Sequence, residues 1–321
     1  MTATNQTSEE AVESIINVSR NILSKMLPHH IIWISTGVVG LITNSTIVAT
    51  TWRHSKTQLD SSYYATVSQI AVSYALFSCT VLCIGLKRLW LFLTDWHEVS
   101  PPWRCSIDIT ALNIGTMPQV LTLFLAFFRF CALVFPLQYK KLSTRAHTNG
   151  VLLMVWITVM VFNCALGFLI PPDTMVPACL FAFVVTPINE LLQTTTKVII
   201  SVLICLTSAA LAVALLIRRK NKIAETNSQA QATTIGKQDI RAAKISLIIS
   251  LNFLLAWIIP DIIIHIIFNY TDGRSAVMVF GNLPPINVFT GVVDFFILVV
   301  VDHKFRQALV YSLRCGNLET V

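Results

Sequence analysis

The sequence predicts an all-α membrane protein, a seven-transmembrane helix bundle with its N-terminus outside the cell and its C-terminus in the cytosol. Three observations carry this prediction: the composition, the length of the apolar stretches and the distribution of positive charge. The chain has 321 residues, of which 55% are hydrophobic and only 12% are charged, and its mean hydropathy is +0.69. A water-soluble chain of this size needs far more polar surface, so the composition excludes a soluble globular protein.

Seven apolar stretches are long enough to cross the hydrocarbon core, which requires about 20 residues per helix. They are continuously apolar, whereas the strands of a membrane barrel are short and alternating, and this favours helices. The predicted spans are residues 30–52, 63–86, 107–135, 150–170, 194–217, 245–268 and 277–301. Residues 1–29 are then an extracellular tail without a signal-peptide core, residues 30–301 form one domain of seven helices, and residues 302–321 are a cytosolic amphipathic segment and tail.

Positive charge predicts the orientation. With the N-terminus outside, the cytosolic side holds 15 Lys and Arg residues and the outside holds 7, and Arg129 at the inner end of the third span completes the 23. Cytosolic loops are enriched in Lys and Arg. The glycosylation sequons agree, because this orientation places Asn5, Asn17 and Asn269 outside. The fourth sequon, at Asn44, lies within the first span and is expected to stay unmodified.

The eight cysteines fall into three groups. Cys105 and Cys179 lie at or beyond the outer membrane edge, in an oxidising compartment. A disulfide between them is expected to hold the loop after the fourth span across the top of the third. Cys315 follows the last span and is a candidate for palmitoylation, with an unmodified thiol as the alternative. The other five lie within spans, where packing as small apolar residues is expected.

The third span ends in the run RFCALVFPLQY at residues 129–139. Seven spans, an outer N-terminus, the Cys105 and Cys179 pair and this run together resemble a rhodopsin-like G-protein-coupled receptor. The run itself is similar to nematode serpentine chemoreceptors of the class X type. Further marks of the resemblance, in chain order, are Asn44, Trp156, Trp257, Pro260 and Asp294. The resemblance implies a chemosensory receptor that binds a small-molecule or peptide ligand and signals through a heterotrimeric G protein.

Several positions depart from the family pattern. Phe128 stands where the family usually has an acidic residue before the arginine, and Ser73 stands where the second helix usually carries an aspartate. The signature of the seventh helix lacks its proline and has Leu298 in place of the tyrosine. Trp257 precedes Pro260 by three residues instead of two. The chain is therefore a divergent member.

Arg129 is the first candidate for a functional contact. A guanidinium at the inner membrane edge is costly unless it reaches water, a carboxylate or backbone carbonyls. The resemblance implies that Arg129 contacts a G protein when the sixth helix swings outward, and Asp239 is its nearest plausible resting partner. The alternative is an arginine that extends to lipid headgroups. The predicted contact surface consists of Arg129, Pro136, Tyr139, Lys140 and Lys141.

The ligand pocket is expected among the outer halves of the helices, where polar groups face inward. Asp261 and His265 are four residues apart and share one helical face, and His265 permits a pH-dependent response. Ala111 replaces the aspartate of aminergic receptors, which argues against an amine ligand, although Asp108 could still attract a cation. For the polar candidates the alternative is a hydrogen bond between helices. The remaining candidates are Leu112, Gly115, Gln119 and Asn287.

The net charge of +7 lies mainly on the cytosolic rim, where it suits anionic lipid headgroups or the acidic surface of a G protein. No nucleic-acid module, zinc spacing, phosphate loop or nucleophile elbow is present in the sequence, so we expect no nucleic acid, no cofactor, no metal and no enzyme activity. The alternative class is a small transporter or ligand-gated channel, against which the lack of an internal repeat argues. We expect the protein in the plasma membrane, with the sensory cilium as a candidate compartment.

Overall fold

The computed structural model describes residues 27–55, 62–94, 99–100, 102–142, 144–168, 176–177, 187–225, 234–260 and 283–315. Within these ranges, seven helices are long and apolar enough to cross a membrane, which confirms the predicted seven-helix class. Large apolar side chains stay exposed on the outer faces of the fourth and fifth helices, including Leu153, Met154, Val161, Val198 and Leu206. Such faces suit contact with lipid. The first to seventh helices comprise Leu27–Arg53, Ser62–Leu93, Pro102–Asn113 with Thr116–Val134, Arg145–Phe168, Pro187–Glu225, Thr234–Phe253 with a π-helical turn, and Leu283–Val301.

The first and second helices approach each other at glycines. A Cβ atom added at Gly37 would lie 2.9 Å from Leu82 Cβ, and one added at Gly85 would lie 3.1 Å from Trp33 Cβ. Small residues allow backbones to come close in membranes, where lipid offers no hydrophobic force to drive helices together. The close approach buries side chains on the facing surfaces of these two helices, among them Trp33 and Arg88.

The third helix is broken into two helices, Pro102–Asn113 and Thr116–Val134. Pro118 has no backbone N–H and so cannot continue the helical ladder to Ile114. The Ile114 carbonyl instead accepts a 2.9 Å hydrogen bond from the backbone N–H of Met117. The fourth helix bridges the break, since Asn163 Nδ2 donates to the Asn113 carbonyl at 3.0 Å and to Thr116 Oγ1 at 3.1 Å.

The sixth helix changes pitch near its proline. The residues Leu254–Ile258 form a π-helical turn, which ends two residues before Pro260. A π-helical turn contains one extra residue. The side chain three residues before the proline therefore points in the direction that the side chain two residues before the proline would have in a regular α-helix. Trp257 accordingly faces the interior, 3% exposed and stacked on Phe253 with ring centroids 5.5 Å apart. The unusual Trp257 to Pro260 spacing is compensated by the backbone.

Two ends of the bundle carry the remaining elements. One end holds Arg129, the short helix Pro136–Leu142 and the terminal helix His303–Cys315, and we name it the Arg129 end. The opposite end, named the Asp108 end, holds the start of the third helix and an antiparallel strand pair of two residues each, with Val99 opposite Pro177 and Ser100 opposite Val176. The strand pair joins the segment before the third helix to the segment after the fourth.

Candidate functional site

Arg129 is buried at its end of the bundle and is held by a hydroxyl. Its side chain is 4% exposed, and its Nη2 donates a 3.1 Å hydrogen bond to the hydroxyl of Tyr139. Tyr139 belongs to the helix Pro136–Leu142, which starts two residues after the third helix because Pro136 begins a new helix readily. The same hydroxyl lies 2.7 Å from Ser62 Oγ on the second helix. Arg129, Tyr139 and Ser62 therefore form one chain of polar contacts, named the Tyr139 clasp.

The surroundings of Arg129 are aromatic. Its guanidinium carbon lies 5.1 Å from the ring centroid of Tyr63 and 5.7 Å from that of Tyr139, distances at which a cation is attracted to a ring face. Among the described side chains Arg129 makes no ion pair, and its Nε atom is buried without a hydrogen-bond partner. Phe128, at the usual position of the acid, packs edge-on against Phe124 with centroids 5.7 Å apart.

The hypothesis of an Arg129 to Asp239 pair concerns a side chain outside the described set. Asp239 lies within the helix Thr234–Phe253, but only its backbone is described, so the pairing stays a hypothesis. Lys140 is likewise described by its backbone alone, whereas Pro136 and Lys141 are exposed beside Tyr139. The predicted contact residues thus lie together at one end.

A second polar group joins the seventh helix to the terminal helix. Tyr64 donates a 2.9 Å hydrogen bond to Asp302 Oδ2, while Asp302 Oδ1 accepts from the backbone N–H of Lys304 at 3.1 Å. The carboxylate thereby caps the helix that follows it. Arg241 of the sixth helix donates to the Val301 carbonyl at 3.0 Å, so the sixth helix also reaches this junction. His54 Nε2 lies 2.9 Å from Ser312 Oγ, which seats the terminal helix against the first.

Asp294 lies in the middle of the bundle at 5% exposure. Asn252 Nδ2 donates to its Oδ1 at 2.8 Å and to the Thr290 carbonyl at 3.2 Å, which ties the sixth helix to the seventh. A cavity of about 10 Å³, on the order of one water molecule, lies against Asp294. The Asn44 Oδ1 and Tyr74 hydroxyl groups are buried without partners, and both residues line this cavity together with Leu298.

The other positions in the resemblance have structural partners. Trp156 Nε1 donates to Gln69 Oε1 at 3.0 Å, which links the fourth helix to the second. Ser73, at the position of the missing aspartate, donates to the Ile70 carbonyl of its own helix at 2.7 Å. The departure at Ser73 therefore leaves no unpaired group.

The predicted pocket residues at the Asp108 end have different surroundings. Asp108 Oδ2 is 3.1 Å from Lys87 Nζ, so a ligand cation would have to displace that lysine. Leu112 packs on an apolar cluster that includes Trp33 and Phe77, and a Cβ added at Gly115 would lie 3.0 Å from the Phe77 ring. Ala111 is half-buried. Gln119 Oε1 and Asn287 Oδ1 are buried without hydrogen-bond partners among the described residues.

Several predicted sites lie outside the described residues, namely Asn5, Asn17, Cys179, Asp261, His265 and Asn269. Cys105 lies in the helix Pro102–Asn113 and Cys315 ends the terminal helix, but neither side chain is described. Asn44 is fully buried.

Sequence reasoning missed four polar residues that organise the bundle: Tyr64, Asn163, Asn252 and Asp302. Polar side chains within apolar spans are costly and tend to face the interior. This signal is present in the sequence at Asn163 and Asn252 and could have identified them. No comparable signal marked Tyr64, since tyrosine is common near membrane surfaces.

A bundle of seven membrane-spanning helices with a buried arginine at one end defines a multi-pass membrane protein built as a single helical domain. The family model described as "Serpentine type 7TM GPCR chemoreceptor Srx" matches residues 34–301. The chain therefore belongs to this family of nematode chemoreceptors. A search of curated proteins finds no significant match.

Proposed function

We propose that this chemoreceptor binds a small ligand at the Asp108 end and signals to a heterotrimeric G protein through the Tyr139 clasp at the Arg129 end. The observation that carries the proposal is the buried Arg129 guanidinium, which bonds to a hydroxyl on the short helix Pro136–Leu142. A neutral hydroxyl holds a cation less strongly than a carboxylate does. The clasp is thus a restraint that a modest change in helix packing can release.

The resting arrangement keeps Arg129 away from the surface. Its guanidinium is covered by the rings of Tyr63 and Tyr139, and Tyr139 is held in place by Ser62. Movement of the short helix away from Ser62 would expose Arg129 together with Lys140 and Lys141. A G protein would then receive a positively charged surface.

Ligand binding would act by population shift, in which the ligand binds the active arrangement more tightly than the resting one. Candidate ligand contacts are Asp108, Ala111, Leu112, Gly115, Gln119, Asp261, His265 and Asn287. The unpartnered amide oxygens of Gln119 and Asn287 support this assignment. The link to the other end would run through Trp257, Asn252 and Asp294.

We propose an orientation with the Asp108 end outside the cell, in the plasma membrane or a sensory cilium. In this orientation Asn5, Asn17 and Asn269 are glycosylated and Cys315 is accessible to palmitoylation in the cytosol. The strand pair at the Asp108 end supports a Cys105 to Cys179 disulfide, because it brings residue 177 beside residue 99. The basic residues of the terminal helix, Lys304, Arg306 and Arg314, suit anionic lipid headgroups.

The test is a signalling assay in cells that carry a promiscuous G protein. Tyr139→Phe removes the clasp hydroxyl but keeps the ring over Arg129. Loss of about 1 kcal/mol of resting-state stabilisation corresponds to about a fivefold rise in ligand-independent signalling. Ser62→Ala should raise it less, since the bond from Arg129 to Tyr139 remains.

Arg129→Ala should abolish both basal and ligand-dependent responses, at surface expression equal to that of the wild type. Arg314→Ala, which removes an exposed cation of the terminal helix, serves as the matched control and should signal normally. Unchanged basal activity in Tyr139→Phe, together with a normal response of Arg129→Ala, would overturn the proposal.

A further inference from the structure

We propose that the facing surfaces of the first and second helices at the Asp108 end bind a small anion, a carboxylate or another group with anionic oxygens. The site is formed by His30, Trp33 and Arg88, and we name it the Arg88 site. Only the identification of this anion as the ligand of the receptor rests on the proposed function. The binding itself is independent of signalling.

The geometry of the Arg88 site follows from helix spacing. His30 and Trp33 are three residues apart on the first helix and so share a face. Gly85 brings the second helix against Trp33, and Arg88, one turn further along, places its guanidinium carbon 4.7 Å from the centroid of the Trp33 ring. The guanidinium thus lies over the indole ring.

The charge of the site is unbalanced. Arg88 is 8% exposed, and a buried cation is costly unless an anion pairs with it. Among the described residues Arg88 makes no hydrogen bond or ion pair. The neighbouring carboxylate is that of Asp108, whose Oδ2 bonds to Lys87 at 3.1 Å. Two cations, Lys87 and Arg88, thus face one described carboxylate.

His30 supplies the second, independent observation. Its side chain is 1% exposed, and neither ring nitrogen has a hydrogen-bond partner. Buried polar groups in native proteins are almost always paired, and the exceptions mark unseen waters or ions. A water could satisfy the imidazole, but it could not balance the charge of Arg88. An anion does both, because it accepts from an imidazole N–H and from the planar guanidinium fork, which fits a carboxylate with two parallel bonds.

The experiment measures binding in the full-length chain, in nanodiscs of phosphatidylcholine. The thermal unfolding midpoint is followed while sodium acetate, hexanoate or benzoate is added, with sodium chloride as the ionic-strength control. A second arm uses nanodiscs that contain phosphatidylglycerol, so that a headgroup can compete with the soluble carboxylate. The variants are Arg88→Gln, Arg88→Lys and His30→Phe, with Arg314→Gln as a charge-matched control at the opposite end.

For a soluble anion we expect a saturable rise in the midpoint with at least one carboxylate, and a half-saturating concentration at least about tenfold higher in Arg88→Gln. Arg88→Lys keeps the charge without the fork and should lose less, and in phosphatidylcholine nanodiscs Arg314→Gln should match the wild type. His30→Phe should also weaken binding, and it tests the site if Arg88→Gln does not fold. A lipid source would instead appear as stabilisation by phosphatidylglycerol that suppresses the carboxylate effect and depends on Arg88.

The inference is overturned if neither carboxylates nor phosphatidylglycerol stabilise the wild type. It is equally overturned if Arg88→Gln and His30→Phe respond as the wild type does. Carboxylate binding without any cellular response would show that this anion is not the ligand that triggers signalling, and it would leave the Arg88 site intact.

Discussion

The hydroxyl of Tyr64 donates a 2.9 Å hydrogen bond to Asp302 Oδ2 across the junction between the second helix and the terminal helix. The adjacent hydroxyl of Tyr63 is buried without a hydrogen-bond partner. Two neighbouring tyrosines of one helix therefore have opposite hydrogen-bonding states. Removal of each hydroxyl isolates the effect of the bond from the effect of burial.

Tyr64→Phe should lower the free energy of unfolding by about 1–3 kcal/mol, because it leaves the buried Asp302 carboxylate short of a donor. Tyr63→Phe keeps the ring beside Arg129 and removes an unpaired hydroxyl, so it should be neutral or stabilising. Thermal unfolding in detergent micelles measures both changes, and amide hydrogen exchange should show lost protection of His303–Cys315 only in Tyr64→Phe. Equal stability of the two variants would contradict the assigned role of Asp302.

Asn252 and Asp294 should be energetically coupled. The hydrogen bond between them joins a side chain of the sixth helix to a side chain of the seventh, and interhelical bonds in membranes contribute about 0.6–1.7 kcal/mol. A double-mutant cycle with Asn252→Ala and Asp294→Ala should give coupling in this range. Coupling below about 0.3 kcal/mol, the limit for independent sites, would show that the contact contributes no stability.

Glycine-to-alanine substitutions should have opposite effects at Gly291 and Gly150. A Cβ at Gly291 would lie 2.7 Å from Tyr74 Cγ, at the base of a buried ring that has little room to move. This overpacking should cost about 1–3 kcal/mol. At Gly150 no atom lies within 4 Å, and alanine should stabilise the fourth helix by about 0.5–1 kcal/mol. The thermal unfolding midpoint should fall below that of the wild type in Gly291→Ala and rise above it in Gly150→Ala, and a shift in the same direction for both variants would contradict the prediction.

Glycosylation tests the proposed orientation. Protein expressed in animal cells should lose mass on treatment with an N-glycosidase, and Asn5→Gln, Asn17→Gln and Asn269→Gln should each reduce that loss. Asn44→Gln should not change it, because Asn44 is buried within the first helix. The absence of any mass loss would instead support the inverted orientation, with the N-terminus in the cytosol.

The number and class of the helices could be predicted from the sequence because an apolar run of about 20 residues is rarely found outside a membrane-spanning helix. The third span could not be predicted in detail. The prediction of one continuous span over residues 107–135 puts Ala111, Leu112 and Gly115 on the same helix as Arg129, whereas the turn at Ile114 and Gly115 interrupts that helix. The sequence signal for the break was Pro118, four residues after Ile114.

Side-chain partners were the least predictable part. Tyr139 was expected at the surface that meets a G protein, and in this arrangement its hydroxyl holds Arg129 and Ser62. Asp108 is a candidate for attracting a ligand cation, and the sequence does not show that Lys87 lies against it. These contacts join residues 10 to 77 positions apart, and helix packing, which no local pattern encodes, brings such residues together.

The break in the third helix affects how a movement at one end of this helix is transmitted to the other end. A continuous helix is stiff along its axis, so a displacement of one end would move the other end. Here the turn at Ile114 and Gly115 interrupts the helical ladder, and Asn163 bridges it through hydrogen bonds to Asn113 and Thr116. Movement of the segment that carries Asp108 is therefore not passed rigidly along one helix to Arg129, because it must cross a turn that the fourth helix supports.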